Sequence, residues 1–257
     1  MQLLLRQIIS TFLLCGLALC AKAQTLHLVT EAWPPYVFEQ DGQPTGLDYE
    51  VTREVLKRLG IDLQLHFMPW KRCLLAMDQG HADGILDIFQ RPEREAHMQF
   101  VMEPLSEIEF VLFFARNRPV PYNNLTDLKG RVVGISAGYW YHNDAFQNAS
   151  DFSREEAPTH KANFGKLIRH RVDLVVNDRR TGLFLAKEMG LETEIGYHST
   201  RLGRDHLRLA LRKTPEMNEL SANFARELRR FKDEPGYRNL QQRYIDSLEP
   251  SVAQVVK

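Results

Sequence analysis

Gly134-Ile135-Ser136-Ala137-Gly138 is a Gly-x-Ser-x-Gly motif placed after a predicted strand and before a predicted helix. A serine so placed is presented on a sharp turn as a nucleophile. Asp178 followed by His198 or His206 stands in the chain order of a hydrolase triad. The same five residues also read as a plain strand-to-loop turn, since a short motif carries little weight alone. The 9 histidines are scattered and none pair at metal-ligand spacing, so no metal site is expected. Trp33 stands between Glu31 and the stiff Pro34-Pro35 pair at a strand end, where open α/β sheets bind ligands. Taken alone, Arg94 reads as a surface ion pair with Glu93 or Glu95, and Asp178 as the N-cap of the helix that follows it. The Arg169-His170-Arg171 and Arg229-Arg230 clusters read as solvated faces.

The chain that carries these residues has 257 amino acids, 44% hydrophobic and 26% charged, an ordinary globular composition. Lys plus Arg (33) equals Asp plus Glu (33), so no global basic field marks a nucleic-acid binder. Residues 1–23 differ from the rest. Arg6, an apolar stretch from Ile8 to Leu19 and Ala21-Lys22-Ala23 read as a secretory signal peptide cut before Gln24. An apolar core of about 13 residues is too short to be a membrane anchor. A lipoprotein signal ending at Cys20 is the alternative, with Leu19 where such a signal has a small residue. Cleavage before Gln24 leaves Cys73 as the one cysteine, read as a buried apolar residue, so no internal disulfide is expected.

Residues 26–28 and 61–67 alternate as strands, and 84–88, 110–115, 131–135, 172–176 and 207–211 are further apolar strand runs. Helical stripes occupy 48–59, 70–79, 163–170, 181–189 and 217–231, with Gly60 and Gly190 as stops. Strands alternating with helices predict an α/β protein with mostly parallel sheets flanked by helices. Two such runs predict two lobes with a cleft between them, joined near Glu103–Ile108 and Leu202–Leu207. Residues 24–104 form the first part of lobe 1, 105–206 form lobe 2 with the hinge segments, and 207–257 return to lobe 1.

Gly46-Leu47-Asp48-Tyr49-Glu50-Val51, Ala82-Asp83-Gly84-Ile85 with Arg91-Pro92-Glu93-Arg94, Leu125 to Gly134, and Arg171 to Asp178 occur in that order along the chain. On these stretches the sequence resembles the family 3 extracellular solute-binding proteins, over essentially all of residues 24–257. The resemblance implies the two-lobe periplasmic-binding-protein fold of type II. It implies a periplasmic protein without catalytic activity, metal or cofactor that captures a small polar solute, an amino acid or related compound, for ABC-type import or sensing. The implied partners are the solute and an inner-membrane ABC permease or a sensor protein, with no nucleic acid, and the implied state is a monomer.

The resemblance also assigns a site. Arg94 matches the family's carboxylate-binding arginine, and a bidentate grip of that kind contributes about 1.5–3 kcal/mol. Asp178 matches the aspartate that accepts from the ligand ammonium, and Trp33 and Trp70 match the aromatic residues around the ligand side chain. The chain departs from the family at Asp87-Ile88-Phe89-Gln90-Arg91, where small hydroxyl residues are usual, and at Gly138-Tyr139-Trp140-Tyr141, where Gly-Thr-Thr is usual. Asp87 and Tyr139 therefore join the candidate site, and the solute is larger, aromatic or cationic, or not an α-amino acid. Periplasmic cyclohexadienyl dehydratases resemble these binders too. That enzymatic alternative needs a carboxylic acid in the cleft, a role open to Asp87 or Glu31.

Overall fold

The computed structural model describes residues 24–248. The expected signal peptide at 1–23 and the end of the 207–257 segment lie outside the described residues. Strands β1 (Gln24–Thr30), β2 (Phe38–Gln40), β3 (Gln43–Thr45), β4 (Ile61–Phe67), β5 (Gly84–Ile88) and β6 (Met98–Phe100) belong to the first half of the chain, with helices α1 (Leu47–Arg58), α2 (Trp70–Asp78) and α3 (Pro92–Glu95). Next come β7 (Ser106–Ala115), β8 (Val132–Ser136), α4 (Asp144–Asn148), β9 (Ser153–Ala157), α5 (His160–Ile168), β10 (Leu174–Asp178) and α6 (Arg179–Glu188). Strand β11 (Ile195–Arg212) and helices α7 (Pro215–Lys232) and α8 (Pro235–Tyr244) follow.

The main sheet runs β4-β1-β5-β11-β7-β10-β8-β9, with β6 also paired to β11. It is parallel at both ends: β1 pairs β4 and β5, and β8 pairs β9 and β10, in parallel. Between these blocks β11 lies antiparallel to both β5 and β7. The α/β architecture of two lobes with flanking helices follows from this arrangement. Strand β4 half-buries alternate residues, as the Ile61-Asp62-Leu63-Gln64 alternation requires. Helix α7 is capped by the Thr214 side chain, which accepts from Met217 N, and it buries Leu220, Phe224, Leu228 and Phe231 along one face.

The two expected joining stretches lie side by side. Residues 106–108 and 205–207 are paired strand, with Ser106 opposite Leu207 and Ile108 opposite Asp205. The 18-residue β11 is shared by both lobes. Arg201, Arg204, Asp205 and His206 break its apolar pattern because that stretch lies on the surface between two cores. Strand β9 carries no apolar signal for a similar reason: Ser153-Arg154-Glu155-Glu156 is polar because it forms a sheet edge. Helix α8 is equally polar and buries only Tyr237.

The loop between β1 and α1 is pinned by glycine. Gly46 has φ 115°, and a Cβ there would lie 2.3 Å from the Tyr36 carbonyl oxygen. That carbonyl accepts from Asp48 N at 2.8 Å at the start of α1. Gly46→Ala is therefore expected to lose about 2–4 kcal/mol of stability by denaturant unfolding. A loss under about 0.5 kcal/mol would contradict this reading of the loop.

Candidate functional site

Trp33 closes a tight turn: its N–H donates to Val37 O and its carbonyl accepts from Tyr36 N and Val37 N. The Pro34–Pro35 bond within it is cis. The turn buries the indole, which meets Phe89 edge-on at 5.5 Å and Tyr139 at 5.4 Å. Phe89 comes from the end of β5 in lobe 1 and Tyr139 from the loop after β8 in lobe 2, so the aromatic cluster spans the cleft. It encloses a cavity of about 20 Å³ bordered by Trp33, Trp70, Asp87, Arg94 and Tyr139, together with Phe89, Arg91 and Trp140. That is room for about one water molecule. A second groove of about 850 Å³ opens on the other side of Tyr139, between Glu31, Phe67, Ser136, His160 and Phe184.

Five of the six residues singled out in the sequence therefore border one cavity: Trp33, Trp70, Asp87, Arg94 and Tyr139. Asp178 does not. Arg91 and Trp140 were not singled out, although both stand in the stretches that depart from the family pattern. The Arg91 guanidinium lies 4.5 Å over the Trp140 ring, a cation–π contact across the cleft.

Arg94 is half-buried and its Nη1 donates to Phe89 O at 2.9 Å, with its guanidinium 5.5 Å over the Trp70 ring. Among the described residues no carboxylate forms an ion pair with it. Burial, and secondarily the positive charge of Arg91, pushes its pKa down to about 10. The buried Trp33 Nε1 also has no acceptor. A guanidinium without a carboxylate and an indole N–H without an acceptor make a site short of anionic acceptor oxygens.

Asp87 is 3% exposed and has φ 61°, a left-handed conformation costing about 1 kcal/mol for a residue with a side chain. Neither of its oxygens receives a donor from the protein. It faces Asp48, whose Oδ1 accepts from Ser106 Oγ at 2.6 Å. Burial raises both carboxyls, Asp48 to about 6 and Asp87 well above the usual range, the Asp48 charge adding to burial at Asp87. Asp87 keeps its proton and donates it to Asp48, so the pair carries one proton and one negative charge at neutral pH.

Asp178 is 1% exposed and accepts four hydrogen bonds. Its Oδ2 accepts from Thr181 N (2.9 Å), Thr181 Oγ1 (3.0 Å) and Tyr36 Oη (3.1 Å), and its Oδ1 from Glu109 N (3.2 Å). Three of the four donors converge on Oδ2 and one reaches Oδ1, so both oxygens are engaged by the protein. Asp178 is thus the N-cap of α6, and through Tyr36 it ties lobe 2 to lobe 1. A second tie runs from Tyr139 Oη to Glu31 Oε2 at 3.2 Å. The Glu31 carboxyl is raised by burial against this contact.

The hydrolase order in the sequence does not assemble. Ser136 Oγ lies 3.1 Å from His160 Nδ1, not from His198 or His206. His198 Nε2 bonds to Val120 O at 2.9 Å, and Asp178 is occupied as described. Burial pushes His160 down to about 4. Cys73 is buried beside Met68 O, and burial pushes its thiol up to about 12, which keeps it unreactive. Among the described residues no cluster of three or more His, Cys, Asp or Glu is arranged to hold a metal.

One protein-family model matches residues 26–247. The chain belongs to the bacterial extracellular solute-binding proteins, family 3. It is 24% identical over 158 residues to the L-cystine-binding protein TcyJ of Escherichia coli K12, covering 61% of this chain and 59% of that one, so the match spans little more than half of that relative. Among solved structures, a histidine kinase sensor domain with similarity to periplasmic binding proteins superposes with TM-score 0.76 at 22% identity, covering 89% of this chain and 98% of that one. The amino acid ABC transporter substrate-binding protein AbpA of Streptococcus pneumoniae, bound to L-arginine, superposes with TM-score 0.73 at 18% identity, covering 88% and 97%. These three family-like proteins are binding or sensor proteins by name. The solved structures share the fold.

The raised Asp48–Asp87 pair makes stability depend on pH. Above about 3.8 the folded state holds protons that the unfolded chain has released, up to about 6 at Asp48 and higher still at Asp87, so this pair's contribution falls as pH rises through that range. Asp87→Asn keeps the hydrogen bond to Asp48 without a titrating proton. Thermal melts are expected to show the variant gaining on the parent by about 1 kcal/mol or more from pH 4 to pH 8. A gap that stays flat with pH would contradict the shared proton.

Proposed function

We propose that the protein captures a small polar solute carrying a carboxylate, an amino acid or a close relative, in the cleft between its lobes. The observation that carries this reading is Arg94: a half-buried guanidinium with no carboxylate partner, under aromatic rings supplied by both lobes. Family membership and the amino-acid and cystine ligands named for similar proteins support it.

In this reading the solute carboxylate accepts from Arg94 and from Trp33 Nε1, while Trp33, Trp70 and Tyr139 surround the rest of it. The cavity of about 20 Å³ is too small for an amino acid, so entry requires the lobes to part and the side chains of Arg91 and Arg94 to move. The described residues of 24–104 and 207–257 move as one lobe and 105–206 as the other, about the β7–β11 ladder. A solute lodged between the lobes touches both of them, and those joint interactions favour the closed form.

The apolar stretch at Ile8 to Leu19, ending in Ala21-Lys22-Ala23, supports export to the periplasm. Among the described residues no helix is long and apolar enough to cross a membrane. The loaded protein then delivers its solute to an inner-membrane ABC permease; a sensor protein is the second candidate receiver, supported by the likeness to a kinase sensor domain.

Calorimetry with L-arginine, L-glutamine and L-cystine tests the site. Arg94→Ala is expected to weaken the tightest of these at least about 30-fold, because a carboxylate loses its charge-assisted grip in a dry cleft. An Arg94→Ala variant that binds as tightly as the parent would sink the carboxylate site.

A further inference from the structure

Arg94 satisfies one end of an amino acid, and something else has to take the ammonium. Asp178 is engaged elsewhere: Thr181, Tyr36 and Glu109 donate to its oxygens, and it does not border the cavity. We propose that Asp87 receives the α-ammonium of the solute, at the floor of the aromatic pocket and on the same β5-to-α3 segment as Arg94. This deepens the capture reading above and rests on it.

Three observations converge on Asp87. It borders the cavity together with Arg94, Trp33 and Trp70. Its side chain is 3% exposed, and beyond the proton it shares with Asp48 neither oxygen receives a donor among the described residues, so acceptor capacity is left free beside the cavity. Its backbone is held at φ 61°, in the region where non-glycine residues are uncommon and cluster at binding sites. Asp48 behind it accepts from Ser106, and Lys232 and Arg180 oppose the Asp48 charge from the far side. The two carboxyls hold one negative charge between them. An arriving ammonium draws that charge onto Asp87, and the shared proton passes to Asp48, so no charge is created or lost in the core.

The assignment has a mechanical consequence. Arg94 and Asp87 both belong to the segment running from β5 to α3, so lobe 1 alone grips both charged groups of the solute. Lobe 2 contributes Tyr139 and Trp140, which cover the bound molecule. Asp178 serves closure through Tyr36 rather than by touching the solute.

The experiment compares each amino acid with its counterpart lacking only the α-ammonium. L-Arginine is paired with 5-guanidinopentanoate, L-glutamine with glutaramate and L-cystine with 3,3′-dithiodipropionate, in calorimetry on the parent, Asp87→Ala and Asp87→Asn. For the tightest pair the parent is expected to prefer the amino acid at least about 30-fold. In Asp87→Ala that ratio falls below about threefold while both compounds still bind through Arg94. If Asp87→Ala does not fold, Asp87→Asn carries the test, with the ratio reduced at least about fivefold. A parent that does not discriminate, or variants that keep the full ratio, overturns the assignment and leaves carboxylate capture standing. A parent that binds none of these compounds overturns both.

Discussion

Asp178 is buried where β7, β10 and the Trp33–Leu47 loop meet, and a carboxylate there is tolerable only if donors fill its lone pairs. Glu109 N of β7, Thr181 of α6 and Tyr36 of the opposite lobe supply them. Because one of those donors crosses the cleft, satisfying this acid also fixes how the lobes sit in the closed arrangement. The Tyr139–Glu31 bond and the Trp33–Tyr139 contact follow from that placement. Removing Asp178 would leave Tyr36, which is fully buried, without the acceptor for its hydroxyl.

The same requirement, left unmet, marks the cavity. Among the described residues Arg94 lacks a carboxylate, Trp33 Nε1 lacks an acceptor and Asp87 lacks a donor, all around one small space. Such groups destabilise a fold when nothing answers them. A solute that answers all three gains affinity from the protein's own deficit and stabilises the closed state by mass action. Asp178 is held by four donors, whereas the polar groups around the cavity are left with unused capacity among the described residues.

The elements positioning this site were largely legible in the sequence. The alternation in Ile61–Phe67 and the apolar run Gly84–Ile88 forecast β4 and β5 because β4 has one half-buried face and β5 is buried on both. Strand β11 was not legible, since Arg201, Arg204 and Asp205 pass over the surface between two cores, and the pairing that makes them strand comes from β7. Trp33, Trp70, Asp87, Arg94 and Tyr139 were found through the family's motifs and this chain's departures from them. The role of Asp178 depended on donors at positions 36 and 109, far off in sequence, so the chain alone showed a helix cap and a family aspartate without deciding between them. Arg91 and Trp140 escaped because their cation–π contact joins two lobes.

A crystal structure of the protein with L-arginine, L-glutamine or L-cystine, whichever binds tightest, is the most direct test of a site built on Arg94 and Asp87. The solute carboxylate is expected on Arg94 and Trp33 Nε1 and its ammonium within hydrogen-bond distance of Asp87, with Asp178 still bonded to Thr181 and Tyr36. An ammonium seated on Asp178, with the Tyr36 bond broken and Asp87 turned away, would contradict it.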